Sequence, residues 1–397
     1  MSTFKGKIEE IPEISVDRFE EGNLDSEAFF LSHCHTDHMV GINTPEFREV
    51  LLKRNRFIYV SHVTKGILKQ MHPYLKDQIR ELDFHTPTPI YLKNRCISVI
   101  PIPSGHCPGS VMFLFEGSKT VLYTGDYRIN LKDIKKIRAF YDDHGNMKKI
   151  HTVYLDTTFF LRDYMQFPTR EESLHHIISL IEEWMSLGEE HIIHISVSAK
   201  YGYEYVFKEI FDKVKMPIHI NEKAFDFYSL IPQLDGAITL TGENTRIHCS
   251  CGDSFNKICK NKEEYNIRTI KMSAMRWKNK DLEEGFTTNE SESHFVCYST
   301  HASYTEGVEL IEFLKPKAIE PCVLRFDEDL DNQIYSSINE LLNRDNEPKA
   351  KKPKLFDLKK LKNTQEAKTE KFSGVDQKYN DIFDEALDSP PEMTIPD

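Results

Sequence analysis

The chain has 397 residues, of which 39% are hydrophobic and 29% are charged, and its formal net charge is -12 at pH 7. This length suits two packed domains, and no apolar run approaches the roughly 20 residues that a membrane helix needs. The N-terminal residues show no hydrophobic signal region, and several of the eight cysteines lie in candidate metal-binding segments. We therefore predict a protein of a reducing compartment, without a disulfide framework or a membrane partner.

The first motif is His-Cys-His-Thr-Asp-His at positions 33–38, directly after an apolar run that predicts a strand. Alternation in a strand or tight turn points His33 and His35 the same way, and a helix start at Asp37 and His38 turns two more ligands towards that point. The alternative is a solvated histidine-rich loop, but such loops seldom place four ligand-type side chains behind a buried strand. The segment predicts a metal site.

Later segments end in further candidate ligands. His106 lies in a glycine-flanked turn after a strand predicted over 97–102, where the backbone can approach a ligand closely. Asp126 ends a second strand in Thr-Gly-Asp, which by itself is equally an ordinary turn. Asp156 ends a third strand, and His301 supplies a late histidine. The alternation of strand and ligand predicts a site along one sheet edge.

In this order and spacing the residues resemble the metallo-β-lactamase superfamily, with its His-x-His-x-Asp-His signature, a Gly-His turn and then Gly-Asp. The resemblance implies four ligands for a first metal ion: His33, His35, His106 and Asp126. It implies four ligands for a second ion, one of them shared: Asp37, His38, Asp126 and His301. It also implies that Asp17 orients a ligand histidine. The implied cofactors are one or two catalytic Zn²⁺ ions, with Mg²⁺ or Mn²⁺ as the alternative at the second position.

The long stretch before the late histidine predicts an inserted domain, because small-molecule hydrolases of this superfamily end soon after Gly-Asp. A helix is predicted to begin after Thr169 as N-cap, with Glu172 completing a capping box before an apolar helix face. A strand over 191–197, a helix over 203–214 and a strand over 217–221 extend the pattern. This order predicts a parallel αβ unit.

That layout resembles the β-CASP nucleases, in which a cap and a hydrolase domain form a cleft for a nucleic-acid strand. The implied fold is α/β: a metallo-β-lactamase αββα sandwich with an inserted β-CASP αβ cap domain and a disordered C-terminal tail. The implied boundaries are 1–157 for the first part of the metallo-β-lactamase domain, 158–294 for the cap, 295–343 for the return to the first domain, and 344–397 for the tail. The tail is rich in lysine and then acidic, which is typical of disorder. Its lysines are interpreted as a nuclear import signal, a phosphate-tethering arm or an inert linker.

The branch of this family is indicated by Val323, because RNA-processing members carry histidine at the matching position and DNA-directed members carry valine. The segments 105–115, 154–159 and 201–205 are similar to those of a DNA-repair branch. The resemblance implies a nuclear 5'-3' exonuclease, a structure-selective endonuclease that cuts hairpins and overhangs, or both. Non-homologous end joining and interstrand crosslink repair are the implied processes.

The implied reaction is phosphodiester hydrolysis by a metal-activated water. The catalytic positions are Asp37, His38, Asp126, Asp156 and His301. Polar residues near the predicted site are candidate phosphate or DNA contacts: Thr158, Ser198, Lys200, Tyr203, Lys271 and Ser273. Cys34 and Cys107 are interpreted as packing residues and not as nucleophiles. The net charge of -12 is unusual for a protein that grips phosphates, although bound metal ions add positive charge.

The implied substrates are DNA ends, hairpins, overhangs and single strands, and the implied partners are the DNA-dependent protein kinase or other end-joining factors. Two alternatives are kept. An RNA-processing nuclease is disfavoured by Val323, and a non-catalytic DNA-binding scaffold is disfavoured by the complete ligand series.

A second metal position is implied in the cap, where the DNA-repair branch holds a structural zinc between two histidines and two cysteines. His219 and His248 match the histidines, and we assign Cys251 and Cys259 as the cysteine pair. The spacing departs from the family pattern, and Cys249 is a competing ligand. Four protein ligands would make a closed, structural site, whereas free thiols in a surface loop are the alternative.

Overall fold

The structure is a computed structural model, and it describes residues 2–197, 199, 201–249, 264–282, 285–290 and 293–343. Five sequence predictions lie outside these residues: Ser198, Lys200, Cys251, Cys259 and the tail over 344–397. In the ranges that are described, no helix is both long enough and apolar enough to cross a membrane.

The N-terminal part of the chain forms a five-stranded sheet. Its strands are β1 (Lys7–Ile8), β2 (Ile11–Val16), β3 (Ala28–Phe30), β4 (Ile58–Val60) and β5 (Ile79–Glu81). They lie side by side in chain order, with β1 antiparallel to β2 and all other pairs parallel. The apolar strand predicted before the histidine motif is β3, in the middle of this sheet.

A second sheet has six strands. They are β6 (Thr88–Tyr91), β7 (Cys96–Pro103), β8 (Val111–Glu116), β9 (Thr120–Tyr123), β10 (Thr152–Leu155) and β18 (Ala318–Pro321). The order is β18-β10-β9-β8-β7-β6. Strand β10 runs parallel to β9 and β18, and the remaining pairs are antiparallel. The late strand β18 therefore returns to the sheet built by the early part of the chain.

Eight helices are found among the described residues: α1 (Pro45–Lys53), α2 (His62–Met71), α3 (Leu131–Ile134), α4 (Arg170–Met185), α5 (Glu204–Val214), α6 (Glu222–Tyr228), α7 (Tyr304–Leu314) and α8 (Glu328–Asn343). The first two sheets pack face to face, because Phe30 of one and Phe113 of the other lie in the same buried cluster. Alternate side chains point to opposite faces of a strand. Phe29 therefore packs with α1 and α2, and Leu114 packs with α7 and α8.

A third sheet has seven strands. They are β11 (His191–Ser196), β12 (Ile218–His219), β13 (Ile238–Thr239), β14 (Ile247–Cys249), β15 (Asn266–Met272), β16 (Thr287–Glu290) and β17 (Ser293–Val296). The order is β13-β12-β14-β11-β15-β17-β16. Among the described strands of this sheet, β16 and β17 pair antiparallel and all other neighbours pair parallel. The parallel strands and helices predicted for this region are confirmed, with β12 shorter than expected.

The helix that precedes this sheet begins as predicted. The Thr169 hydroxyl accepts the backbone N–H of Glu172, and the Glu172 carboxylate accepts the backbone N–H of Thr169. This reciprocal cap satisfies amides that a helix start otherwise leaves without partners. Leu174, Ile177 and Ile181 then recur on one face of α4 and are buried against the third sheet.

The candidate site residues follow the carboxyl ends of strands from all three sheets. His33 comes after β3, His106 after β7, Asp126 after β9 and Asp156 after β10. His301 comes after β17, at the end of the third sheet. Loops at strand ends carry functional groups on a rigid frame, and here they bring groups that are distant in sequence to one place.

Candidate metal centre

Three histidines and one aspartate converge where β3, β7 and β9 end. His35 Nδ1 lies 3.1 Å from His33 Nε2 and 3.0 Å from His106 Nε2. Asp126 Oδ2 lies 3.5 Å from both of those Nε2 atoms. One donor atom of each residue lies within 4.8 Å of all the others. This spacing suits one shared cation, and we name the three histidines the first ligand group.

Asp126 also faces three further side chains, Asp37, His38 and His301, which we name the second ligand group. Asp126 Oδ1 lies 3.3 Å from His38 Nε2, which in turn lies 3.9 Å from Asp37 Oδ2. His301 Nδ1 lies 3.9 Å from Asp126 Oδ2. The structure thus brings together every catalytic metal ligand that the sequence predicts, with Asp126 between the two groups.

Asp156 was predicted to be catalytic and not a ligand, and it lies directly against His301 of the second ligand group. Its Oδ2 lies 2.9 Å from His301 Nδ1, and its Oδ1 accepts the backbone N–H of Thr158. Donor atoms of Asp126, Asp156 and His301 lie within 4.8 Å of one another. Asp156 is therefore placed to hold the His301 ring from one side.

Neighbouring groups hold the ring nitrogens that face away from the centre. Ser32 Oγ lies 2.9 Å from His33 Nδ1, and His106 Nδ1 lies 3.0 Å from the carbonyl oxygen of Thr300. A carbonyl only accepts, so His106 carries its proton on Nδ1 and turns the lone pair of Nε2 towards the centre. Such outer contacts orient metal ligands in proteins.

The carboxylate of Asp17 lies directly behind the second ligand group. Its Oδ2 lies 2.8 Å from His38 Nδ1 and accepts the Tyr123 hydroxyl at 2.8 Å. Both oxygens also accept from Ser32, Oδ1 from the backbone N–H and Oδ2 from the hydroxyl. Asp17 adopts a φ of 55°, in the left-handed region that few non-glycine residues occupy. Its carboxylate is held by enough donors to have one orientation.

The donor set fits divalent metal ions. His38 Nε2 is buried and lies 3.3 Å from Asp126 Oδ1 and 3.9 Å from Asp37 Oδ2. Because Asp17 holds His38 Nδ1, the Nε2 atom of His38 faces the carboxylates of the centre. Imidazole nitrogens with carboxylate oxygens are the ligands that Zn²⁺ and related ions take.

The electrostatics of the centre favour the metal-binding forms of His35, His106 and Asp126. Burial lowers the pKa of His35 to about 3, and burial also holds the pKa of His106 well below its usual range. Burial alone would raise the pKa of Asp126, but the charges of His38 and His301 outweigh it and keep that pKa well below its usual range. Neutral His35 and His106 beside an ionised Asp126 are ready ligands. Burial alone would lower the pKa values of His38 and His301, but Asp126 together with Asp17 or Asp156 raises them, so a metal ion at the second ligand group would replace protons.

A cleft of about 580 Å³ opens onto the centre. Three of the candidate phosphate contacts line it: Thr158, Tyr203 and Ser273. Lys271 does not line it, and its ammonium lies 5.2 Å from the centre of the Phe295 ring.

Sequence reasoning missed Tyr201, whose ring lies 5.6 Å from the ring of His35. Its tyrosine-rich segment was noted only as a family likeness.

The buried Arg128 was also missed, and it holds the loop that carries His301. Its guanidinium donates to the carbonyl oxygens of Ser299 at 2.9 Å and Pro168 at 2.8 Å. Its Nε lies 3.2 Å from Glu306 Oε1. Arg128 therefore ties the chain that enters the third sheet to the chain that leaves it. An arginine after Gly-Asp-Tyr carries no sequence signal for these partners.

Two histidines of the third sheet also meet. His219 and His248 are neighbours on adjacent strands, with their Nδ1 atoms 3.0 Å apart. The Nε2 of His248 lies 3.1 Å from the carbonyl oxygen of Thr245, which leaves its Nδ1 as an acceptor. Cys249, the competing ligand, is buried in the hydrophobic cluster of this sheet. Cys251 and Cys259 lie outside the described residues.

No protein-family model matches the chain. The chain is 32% identical to mouse protein artemis over an alignment of 419 positions, which covers 100% of the chain and 57% of that protein. It is 34% identical to human protein artemis over 350 residues, covering 82% of the chain and 49% of that protein. The human DNA cross-link repair 1A protein is 27% identical over 335 residues, covering 78% of the chain and 29% of that protein.

The fold and the centre define a mixed α/β protein with a histidine–aspartate centre suited to metal ions. The similarity then confirms the resemblance seen in the sequence motifs: the chain belongs with the β-CASP DNA-repair proteins and is a homologue of the Artemis proteins. The chain spans about half the length of the Artemis relatives that it matches.

Proposed function

We propose that this protein is a metal-dependent DNA nuclease that acts in DNA repair. The observation that carries the proposal is the convergence of both ligand groups on Asp126 at the floor of an open cleft. Homology to the Artemis proteins and to a DNA cross-link repair protein supports DNA as the substrate. The finer activity is 5'-3' exonuclease action, structure-selective endonuclease action at hairpins and overhangs, or both.

The two ligand groups have distinct roles in this proposal. The first ligand group and Asp126 hold one ion, and the second ligand group and Asp126 hold another, with Zn²⁺ at one or both positions and Mg²⁺ or Mn²⁺ as the alternative at the second. Such ions supply an activated water and offset charge on the phosphoryl oxygens. Asp17 and Asp156 orient His38 and His301 through hydrogen bonds that are 2.8 and 2.9 Å long. We keep His38, Asp126, Asp156, His301 and Asp37 as the catalytic positions.

The cleft walls position the nucleic acid. Hydroxyl groups of Thr158, Tyr203 and Ser273 line the cleft beside the centre and are suited to donate to phosphate oxygens. Binding there would present a phosphodiester to Asp37 and His301, whose side chains are partly exposed and line the cleft. Ser198, Lys200 and Lys271 stay predictions from the sequence.

The domain assignment is part of the proposal. We propose that the two sheets that pack face to face form the metallo-β-lactamase αββα sandwich and that the seven-stranded sheet forms the β-CASP cap, whose strand β17 (Ser293–Val296) runs past the predicted boundary at 294. The close Nδ1 atoms of His219 and His248 support a structural Zn²⁺ in that cap. Its two cysteine ligands stay a prediction from the sequence.

The biological setting is proposed from the relatives. We propose action in the nucleus, in non-homologous end joining or interstrand crosslink repair, on DNA ends, hairpins, overhangs and single strands. The DNA-dependent protein kinase or other end-joining factors are the proposed protein partners.

The proposal is tested by cleavage of three labelled substrates: 5'-labelled single-stranded DNA, a DNA hairpin with an overhang, and RNA of the same sequence. Wild-type protein is compared with Asp37→Asn, with and without chelator, and Asp235→Asn serves as a matched control at an exposed position. We expect DNA cutting by wild type and the control that chelator abolishes and that Asp37→Asn lacks. Cutting of RNA alone, or DNA binding without any cutting, would contradict the proposal.

A further inference from the structure

The segment Ser2–Phe4, which we name the N-terminal strap, reaches the second ligand group. The backbone N–H of Ser2 donates to Asp37 Oδ2 at 2.7 Å, and Ser2 lines the cleft. No sequence motif predicts this contact, because it is made by a main-chain atom. It joins residues that are 35 positions apart.

Thr3 and Phe4, the other two residues of the strap, are both held by contacts with the rest of the protein. Thr3 donates its backbone N–H to the carbonyl oxygen of Cys322 at 3.0 Å, and its hydroxyl accepts the backbone N–H of Leu324 at 2.9 Å. The Phe4 ring lies 5.2 Å from the ring of Tyr123 and 5.5 Å from that of Tyr154. The position of the Ser2 amide is therefore set by hydrogen bonds and packing and not by Ser2 alone.

The strap completes a pattern in the second ligand group. His38 is held by Asp17 and His301 is held by Asp156, each through its Nδ1. Asp37 is a carboxylate and needs a donor instead, which the Ser2 amide supplies, and its side chain is 25% exposed. A carboxylate that accepts one fixed amide on Oδ2 loses rotational freedom, which keeps its remaining lone pairs directed at the centre.

We infer that the backbone amide of Ser2 is a positioning group for Asp37, and that the N-terminal strap is an integral part of the second metal position. This inference rests on the metal centre of the proposed function. Loss of an outer contact of this kind lowers metal affinity by roughly 10- to 100-fold. Only the ion held by the second ligand group is affected, because the strap makes no contact with His33, His35 or His106 in the bonds described above.

The test removes the backbone N–H of residue 2. Ser2→Pro lacks this N–H as well as the hydroxyl, whereas Ser2→Ala keeps the N–H and loses only the hydroxyl. Both variants and wild type are released in vitro from an N-terminal fusion so that Met1 stays attached, which keeps the nitrogen of residue 2 an amide in all three. Intact mass verifies this. Binding of Mn²⁺ to the metal-free protein is then followed by electron paramagnetic resonance.

We expect wild type and Ser2→Ala to bind two ions at the centre, and Ser2→Pro to bind the weaker of them roughly 10- to 100-fold less tightly. Thr3→Val, compared with Thr3→Ser, is a second test, because valine cannot accept the N–H of Leu324; we expect a smaller loss in the same direction. Unchanged affinity in both Ser2→Pro and Thr3→Val would overturn the inference while the proposed function stands. Failure of wild type itself to bind ions would overturn the proposed function and this inference together.

Discussion

The two ligand groups differ in how they are built. In the first ligand group, His33 and His106 are 0% and 1% exposed, His35 is partly exposed, and the ring nitrogens of His33 and His106 both contact that of His35. In the second ligand group, the side chains of Asp37 and His301 are 25% and 21% exposed and line the cleft, whereas His38 is 2% exposed. The comparison teaches that the first ligand group keeps two of its three side chains in the interior, whereas the second places two of its three where water and substrate can reach them.

The groups also differ in what supports them. His33 is held by its neighbour Ser32, and His106 is held by the remote carbonyl oxygen of Thr300. The second ligand group has a remote contact behind each of its three ligands: Ser2 to Asp37, Asp17 to His38, and Arg128 to the loop before His301. We therefore expect distant substitutions to weaken the second ligand group first.

The largest effect is expected from the ligands themselves. His35→Ala removes the Nδ1 atom that contacts both other histidines of the first ligand group. Asp37→Asn removes a charged ligand from the second ligand group. Each should reduce DNA cleavage by at least about 10²- to 10³-fold, the loss that follows removal of one group that stabilises charge in the transition state. Circular dichroism should show a native fold in both. Full activity in both variants would contradict the assigned centre.

The metal content of these two variants tests whether the two ligand groups hold separate ions. His35→Ala should lose the tightly held ion, whereas Asp37→Asn should retain it and lose the other. Equal loss of both ions in the two variants would contradict separate roles for the two groups.

A large effect on stability is expected at Arg128. Arg128→Met removes the cation from Glu306 and two donors from the carbonyl oxygens of Ser299 and Pro168. Breaking a buried pair in this way costs about 3 to 5 kcal/mol, and we place the loss at the lower end because Glu306 is 20% exposed. Urea denaturation measures it. Arg128→Lys is the control, since it keeps the charge and loses the planar fork.

An intermediate effect is expected from Glu204, which lies behind the first ligand group near Tyr201. Burial raises the pKa of Glu204 to about 7. The native state therefore holds a proton that the unfolded chain releases near pH 4.5, so stability falls as pH rises between these values. For Glu204 this amounts to about 3 kcal/mol between pH 5 and pH 8. Glu204→Gln should lack this part of the pH dependence in denaturation curves; an unchanged curve would contradict the assignment.

The smallest effect is expected at the Tyr201 hydroxyl. This oxygen is buried without a hydrogen-bond partner in the part of the chain that is described, whereas the ring packs near His35. Tyr201→Phe keeps the ring, so cleavage should stay within about twofold of wild type and stability within about 0.5 kcal/mol. A tenfold loss of cleavage would show that the hydroxyl takes part in the reaction.

Local sequence was sufficient where the chemistry is local. His33, His35, Asp37 and His38 lie in one short segment after a strand, so that their convergence needs no knowledge of the remaining chain. The capping box of Thr169 was equally readable, because its partner is three residues away. Asp126 was a weaker signal, since Thr-Gly-Asp also occurs in ordinary turns.

Contacts between remote segments were not readable from the sequence. The Ser2 amide has no side-chain signature, and Arg128 binds two carbonyl oxygens that every residue possesses. Asp156 was predicted as catalytic, but its contact with His301 across 145 positions appears only in the fold. Lys271 stays a prediction from the sequence, and the structure places its ammonium over the Phe295 ring and outside the cleft lining.

The most direct test of the central claim is an anomalous difference map from crystals of the wild-type protein soaked in Mn²⁺. The account predicts two peaks on either side of Asp126, one within bonding distance of His33, His35 and His106 and the other of Asp37, His38 and His301. A map without any peak beside Asp126 would contradict it.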